Sequence, residues 1–128
     1  MVRAKVMIVD DDQEFLQELS VVLASHGYDV VASANPAAVK EIAVTSEPAV
    51  IVLDLKMRGQ SGLELADELR RFTKTLAIPV IAMTGFFTES EHMTLLNICG
   101  IRTCLKKPFA PYELMRAIET ELTERRRA

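Results

Sequence analysis

Val50-Ile51-Val52-Leu53-Asp54 is an unbroken apolar run that closes on a carboxylate. A strand with one wet face alternates apolar and polar side chains, whereas four apolar residues in a row suit a strand covered on both faces, as in a parallel sheet. The run therefore predicts a buried strand over Ala49–Leu53 that stops at Asp54. Similar pieces recur along the chain. Lys5–Val9 reads as a buried strand stopping at Asp10, Asp11 and Asp12, and Pro79–Met83 as one closing on Thr84-Gly85. Tyr28–Ser33 and the short Ile101–Leu105 make five.

Amphipathic stretches separate these strands. Phe15, Leu16, Leu19, Val22 and Leu23 recur at helical spacing, predicting a helix from about Asp12 to Ser25 that His26-Gly27 stops. Asn35-Pro36 begins the second, with asparagine as cap and proline at the first helical position. Ser61-Gly62-Leu63-Glu64 is a capping box opening a third helix, whose Leu65, Leu69 and Phe72 share a face. Thr88-Glu89-Ser90-Glu91 is another, opening a helix towards Cys99-Gly100. The last runs from Ala110 to about Glu124, with Leu114 or Met115, Ile118 and Leu122 inward. Strands and helices in this alternation imply parallel strands joined by right-handed crossovers, a doubly wound α/β sandwich.

The 128 residues suit a single domain over 1–128, and 49 % hydrophobic with 26 % charged residues is an ordinary globular balance. No stretch approaches the ~20 apolar residues of a membrane span, and the N-terminus lacks a signal-peptide core. The expectation is a cytoplasmic protein with no membrane partner. Fifteen basic against 18 acidic residues, net −3, argue against direct nucleic-acid binding. Cys99 and Cys104 have no second pair with which to build a zinc site and are read as reduced and inert. No helix-turn-helix, dinucleotide fingerprint or P-loop follows Lys107, so no output domain is expected in this chain.

In doubly wound sheets ligands sit at the carboxyl ends of the strands. Those ends carry adjacent carboxylates (Asp10, Asp11), a single carboxylate (Asp54), a hydroxyl (Thr84) and a cation (Lys107). Three converging carboxylates repel, which raises at least one pKa unless a cation joins them. Mg²⁺ prefers oxygen ligands and binds through carboxylates, water and phosphoryl oxygens. A carboxylate beside it, near a hydroxyl and an ammonium, has the makings of a nucleophile that accepts a phosphoryl group. Taken singly the pieces are bland. Asp10–Asp12 suit a helix N-terminus, Thr84 a local cap, and Lys106-Lys107 a solvated pair. Asp12 keeps that role, His26 and His92 read as structural or surface residues, and Arg125–Arg127 complement the negative end of the last helix.

Together the pieces resemble the receiver domains of two-component response regulators. The resemblance rests on Val6-Met7-Ile8-Val9-Asp10-Asp11-Asp12, on Val50 to Met57 with Gly62, on Val80-Ile81-Ala82-Met83-Thr84-Gly85, and on Lys107-Pro108-Phe109. It implies a flavodoxin-like fold with five helices and strand order 2-1-3-4-5. It also implies that Asp54 takes a phosphoryl group from a phospho-histidine on a sensor histidine kinase or histidine phosphotransfer protein. Asp11 would be the direct Mg²⁺ ligand and Asp10 the more water-mediated one, with Asp54 and the backbone carbonyl of Lys56 completing the protein's share. Thr84 would bond the phosphoryl group, Lys107 would pair with its charge, and the Lys107–Pro108 bond would be cis. Such a domain is a signalling switch that catalyses only its own phosphoryl transfer and autodephosphorylation. Its state would be read by a downstream partner, an output domain or a second copy in a phosphorylation-modulated dimer.

Three features depart from the family's common form. Arg58 replaces a loop-stiffening proline, and Cys104 replaces the aromatic residue on strand five that links phosphorylation to the surface. The third is the pair Lys56 and Phe86, at sites that in this family flank the path of the hydrolytic water, so slow autodephosphorylation is expected. Two alternatives stand beside this reading. One is a pseudo-receiver that keeps the fold as an interaction surface. The other is a Mg²⁺ aspartyl-phosphate phosphatase of the haloacid-dehalogenase kind, although Asp54-Leu55-Lys56 lacks the second carboxylate of that motif.

Overall fold

Five parallel strands, Lys5–Val9 (β1), Asp29–Ser33 (β2), Val50–Asp54 (β3), Val80–Thr84 (β4) and Thr103–Lys106 (β5), form one sheet in the order β2-β1-β3-β4-β5. The computed structural model describes residues 3–85, 94 and 96–127, with only the backbone at 125–127. The helices are Gln13–Ser25 (α1), Val39–Ser46 (α2), Gly62–Arg70 (α3), a segment that includes residues 94 and 96–98 (α4), and Pro111–Arg127 (α5). The expected architecture is therefore the observed one. Among the described residues, no helix is long and apolar enough to cross a membrane.

All five residues of β3 and of β4 are buried, as an unbroken apolar run requires of a central strand. Alternate side chains feed two cores. Met7, Val9, Ile51, Leu53 and Ala82 meet Val39, Ala43, Leu65, Leu69 and Leu96 on the α2–α3–α4 face. Val6, Ile8, Val52, Ile81 and Met83 meet Leu16, Leu19, Leu23, Leu114 and Ile118 on the α1–α5 face. This two-faced burial sets the strand register, and the register brings the carboxyl ends of β1, β3, β4 and β5 together.

The helix starts follow their capping chemistry. Asp12 caps α1, its side chain accepting the Phe15 N–H at 3.1 Å, and Ser61 caps α3 by accepting the Glu64 N–H at 3.1 Å. Asn35 accepts the Ala37 N–H, but Pro36–Ala38 form a 3₁₀ turn that only then gives way to α2. One expectation needs correction. Phe72 lies beyond the end of α3, because the buried Thr75 hydroxyl donates to the Leu69 carbonyl at 2.6 Å and the chain turns there. In α5 the expected inward face is present, with Leu114 and Ile118 buried and Met115 and Leu122 partly buried against the α1–α5 core, and it also holds a buried carboxylate, Glu121. It accepts from the Thr103 hydroxyl at 2.9 Å and pairs with Arg102 at 3.1 Å. The second capping box, Thr88–Glu91, and His92 lie outside the described residues, as do the side chains of Arg125–Arg127.

Candidate functional site

Each candidate side chain stands where a strand stops. Asp10 directly follows β1, Asp54 and Thr84 end β3 and β4, and Lys107 follows β5. Pairing of Asp54 with Met83 and of Thr84 with Lys106 keeps these ends level. The Lys107 N–H also donates to the Thr84 carbonyl at 2.6 Å, and the Lys107–Pro108 bond is cis, as the resemblance implied. Asp10, Asp54 and Thr84 are all buried. Asp10, Asp11 and Asp54 each offer a carboxylate oxygen, and these oxygens lie within 4.8 Å of one another.

The buried charge is only partly balanced. The Lys107 ammonium hydrogen-bonds Asp10 Oδ2 and stands 3.7 Å from Asp54 Oδ2. The other oxygen of Asp10 accepts the Asp12 N–H at 3.0 Å, and that of Asp54 accepts the Lys56 N–H at 3.3 Å. Burial and then the neighbouring Asp10 charge push the Asp54 carboxyl up to about 6, against the opposing pull of Lys107 and the Lys56 N–H. A third carboxylate, Asp11, faces the same point from the loop after β1. An all-oxygen donor set with an excess of negative charge fits a hard divalent cation such as Mg²⁺.

The loop after β3 is held in ways the sequence does not announce. Arg58 donates its backbone N–H to Asp11 Oδ2 at 3.0 Å, and its guanidinium lies 3.6 Å from the same oxygen. A proline there has no N–H to give. The departure at Arg58 thus exchanges a stiff ring for a tether between loop and site. Gly62 closes the other end of the loop, its N–H donating to the Leu55 carbonyl at 2.9 Å. Phe15, which helical spacing places simply on the core face of α1, also reaches the site, with its ring face 4.3 Å from Lys107 Nζ. Pairings across 92 residues carry no local signal, so spacing could not have found this contact.

Lys56 is exposed at the mouth of the site, while Phe86 lies outside the described residues. Cys104 is half-buried on the α2–α3–α4 face, where burial pushes its thiol up. Cys99 packs against the same core, and both thiols are free.

The family model described as "Response regulator receiver domain" matches residues 6–119. The chain belongs to that family. As a receiver domain it is 32 % identical over 122 residues to the phosphate regulon transcriptional regulatory protein PhoB of Pseudomonas aeruginosa, a match covering 95 % of this chain and 53 % of that protein. It is 31 % identical to the probable transcriptional regulator ycf27 of Porphyridium aerugineum, over 95 % of this chain and 49 % of that protein. The receiver domain thus spans about half the length of these curated relatives.

Among solved structures, chemotaxis protein CheY4 of Vibrio cholerae is 27 % identical with a TM-score of 0.86, covering 93 % of this chain and 98 % of that one. A CheY-like receiver domain protein of Methanospirillum hungatei JF-1 has a TM-score of 0.87 and covers 97 % of each chain. At 22 % identity it shares the fold. The domain is a receiver of two-component signalling.

Proposed function

We propose that this receiver domain accepts a phosphoryl group on Asp54 from the phospho-histidine of a sensor histidine kinase or histidine phosphotransfer protein, in a reaction that requires Mg²⁺. The observation that carries the reading is the placement of the Lys107 ammonium between two buried carboxylates, Asp10 and Asp54, with Asp11 in reach. In the step itself an Asp54 carboxylate oxygen bonds to phosphorus as the P–N bond of the donor breaks. The electron pair leaves on the imidazole nitrogen, and an acyl phosphate remains on Asp54. Lys107 and Thr84 hold the equatorial oxygens of the group in transfer, whose charge is what the site must offset. Asp10, Asp11, Asp54 and the Lys56 carbonyl would hold the metal. When bound, Mg²⁺ supplies positive charge to the same oxygens and relieves the repulsion among the carboxylates. Water returning to the acyl phosphate resets the switch, and the phosphorylated state changes association with a downstream partner or a second copy.

Beryllofluoride, a non-covalent mimic of a phosphoryl group on a carboxylate, tests the site without a donor protein. With Mg²⁺ it should raise the melting temperature of the wild type by the equivalent of roughly 2–3 kcal/mol at a hundredfold excess over Kd. Asp54→Ala should show no such rise. Neither Mg²⁺ nor beryllofluoride acting on the wild type would leave an interaction module without phosphorylation. Turnover of p-nitrophenyl phosphate would point instead to a phosphatase.

A further inference from the structure

Lys107 is held by more than carboxylates. Its ammonium lies 4.3 Å from the centre of the Phe15 ring, over the face, and its side chain is only 22 % exposed. The ring is itself braced. Phe109 meets it edge to face, with centroids 6.1 Å apart and planes at 86°, and both rings pack against the α1–α5 core. Its backbone is also tied to the site loop, since the Phe15 N–H donates to the Asp12 side chain at 3.1 Å.

An ammonium has three donors and no acceptor. One is taken by Asp10, and Asp54 lies 3.7 Å away. The remaining side, which in an open site would be hydrated, is turned to the electron-rich face of an aromatic ring. Such contacts strengthen as the cation loses water. The four-carbon stem of lysine is flexible, so something must keep the charge from swinging out to solvent.

We propose that Phe15 is a positioning residue for Lys107, its ring face holding the ammonium between Asp10 and Asp54 in place of water. The consequence for rate rests on the reading of Asp54 as phosphoacceptor, whereas the ring–ammonium geometry does not. Removing the ring frees the ammonium to hydrate, and phosphorylation slows because the charge is less often where the incoming oxygens need it. Leucine at this position keeps an apolar contact and a good helix former. A ring fluorinated step by step keeps its size while its face loses negative character, which separates attraction from packing.

Two readouts on the full chain decide the matter. The first is the ring-current displacement of the Lys107 ε-methylene protons by NMR. They should resonate upfield of the other lysines in wild type and lose that displacement in Phe15→Leu. The second is the rate of phosphorylation by acetyl phosphate with Mg²⁺. Phe15→Leu should be about three- to tenfold slower, as expected for a partly desolvated cation–ring contact. Phe15→Trp should restore the rate, and successive fluorination of residue 15 should lower it stepwise. A fluorinated ring as fast as phenylalanine would reduce Phe15 to packing, and an undisplaced Lys107 would remove the contact itself. If the wild type takes no phosphoryl group, the Asp54 reading fails while the NMR displacement still decides the positioning.

Discussion

Gly62→Ala is expected to lower stability by about 3 kcal/mol, at the upper end of what overpacking costs. For a domain of this size that is a fall of roughly 10 °C in melting temperature. A methyl group on Gly62 would fall on the Asp54 carbonyl oxygen and 2.6 Å from Leu55 Cα. Both neighbours are backbone, in the strand end and loop that carry Asp54, the proposed phosphoacceptor, so neither can rotate away as a side chain would. The Gly62 N–H also donates to the Leu55 carbonyl at 2.9 Å, and pushing α3 outward breaks that bond. The same displacement moves Asp54, so the variant should lose beryllofluoride binding even at temperatures where it stays folded. Gly85, next to Thr84, is the control. A Cβ there meets none of the described residues within 4 Å, and Gly85→Ala should melt like wild type. Equal melting of Gly62→Ala and wild type would show that α3 slides without cost, contrary to this packing.

Most of the frame was legible because local patterns and tertiary demands agree. The run Val50–Leu53 says "covered on both faces", and β3 is buried throughout. Asp12 and Ser61 are caps in sequence and in structure, since capping is a contact made within three residues. The site was legible as a list of strand ends, because parallel topology alone delivers Asp10, Asp54, Thr84 and Lys107 to one edge. What stayed hidden depends on contacts far apart in sequence. Phe15 looked like any apolar residue of an amphipathic helix until Lys107 came to rest on its ring. Arg58 looked like a lost proline until its N–H met Asp11, and Glu121 interrupts an apolar face because Thr103 and Arg102 lie opposite it. Phe72 was misplaced because helical spacing continues past the point where Thr75 draws the chain away.

Asp54→Asn is expected to stabilise the folded protein at pH 8 by about 1–2 kcal/mol, with the gain fading as the pH falls towards 4. Asp54 titrates at about 6 in the folded protein, raised from 3.8, first because it is buried and then because Asp10 is close. The folded state therefore binds this proton more tightly than the unfolded chain. Stability from this group falls as pH rises from about 4 to about 6 and stays low above that window. Two pKa units set a ceiling of about 3 kcal/mol, which solvent at the mouth of the site reduces. Asparagine removes the charge in both states and with it the penalty. Mg²⁺ should act in the same direction on the wild type at pH 8, raising its melting temperature, and should do less for Asp54→Asn. Melting scans of both proteins across pH 4–8 check the sign. A variant less stable than wild type at pH 8 would mean that attraction between Lys107 and Asp54 outweighs burial and repulsion together.

If Asp54 is the nucleophile, intact-mass measurement after incubation with acetyl phosphate and Mg²⁺ should reveal the acyl phosphate. The expected result is a gain of one phosphoryl group in the wild type, no gain when Mg²⁺ is chelated, and none in Asp54→Asn. A gain that persists in Asp54→Asn, or a wild type that neither gains mass nor binds beryllofluoride, would contradict it.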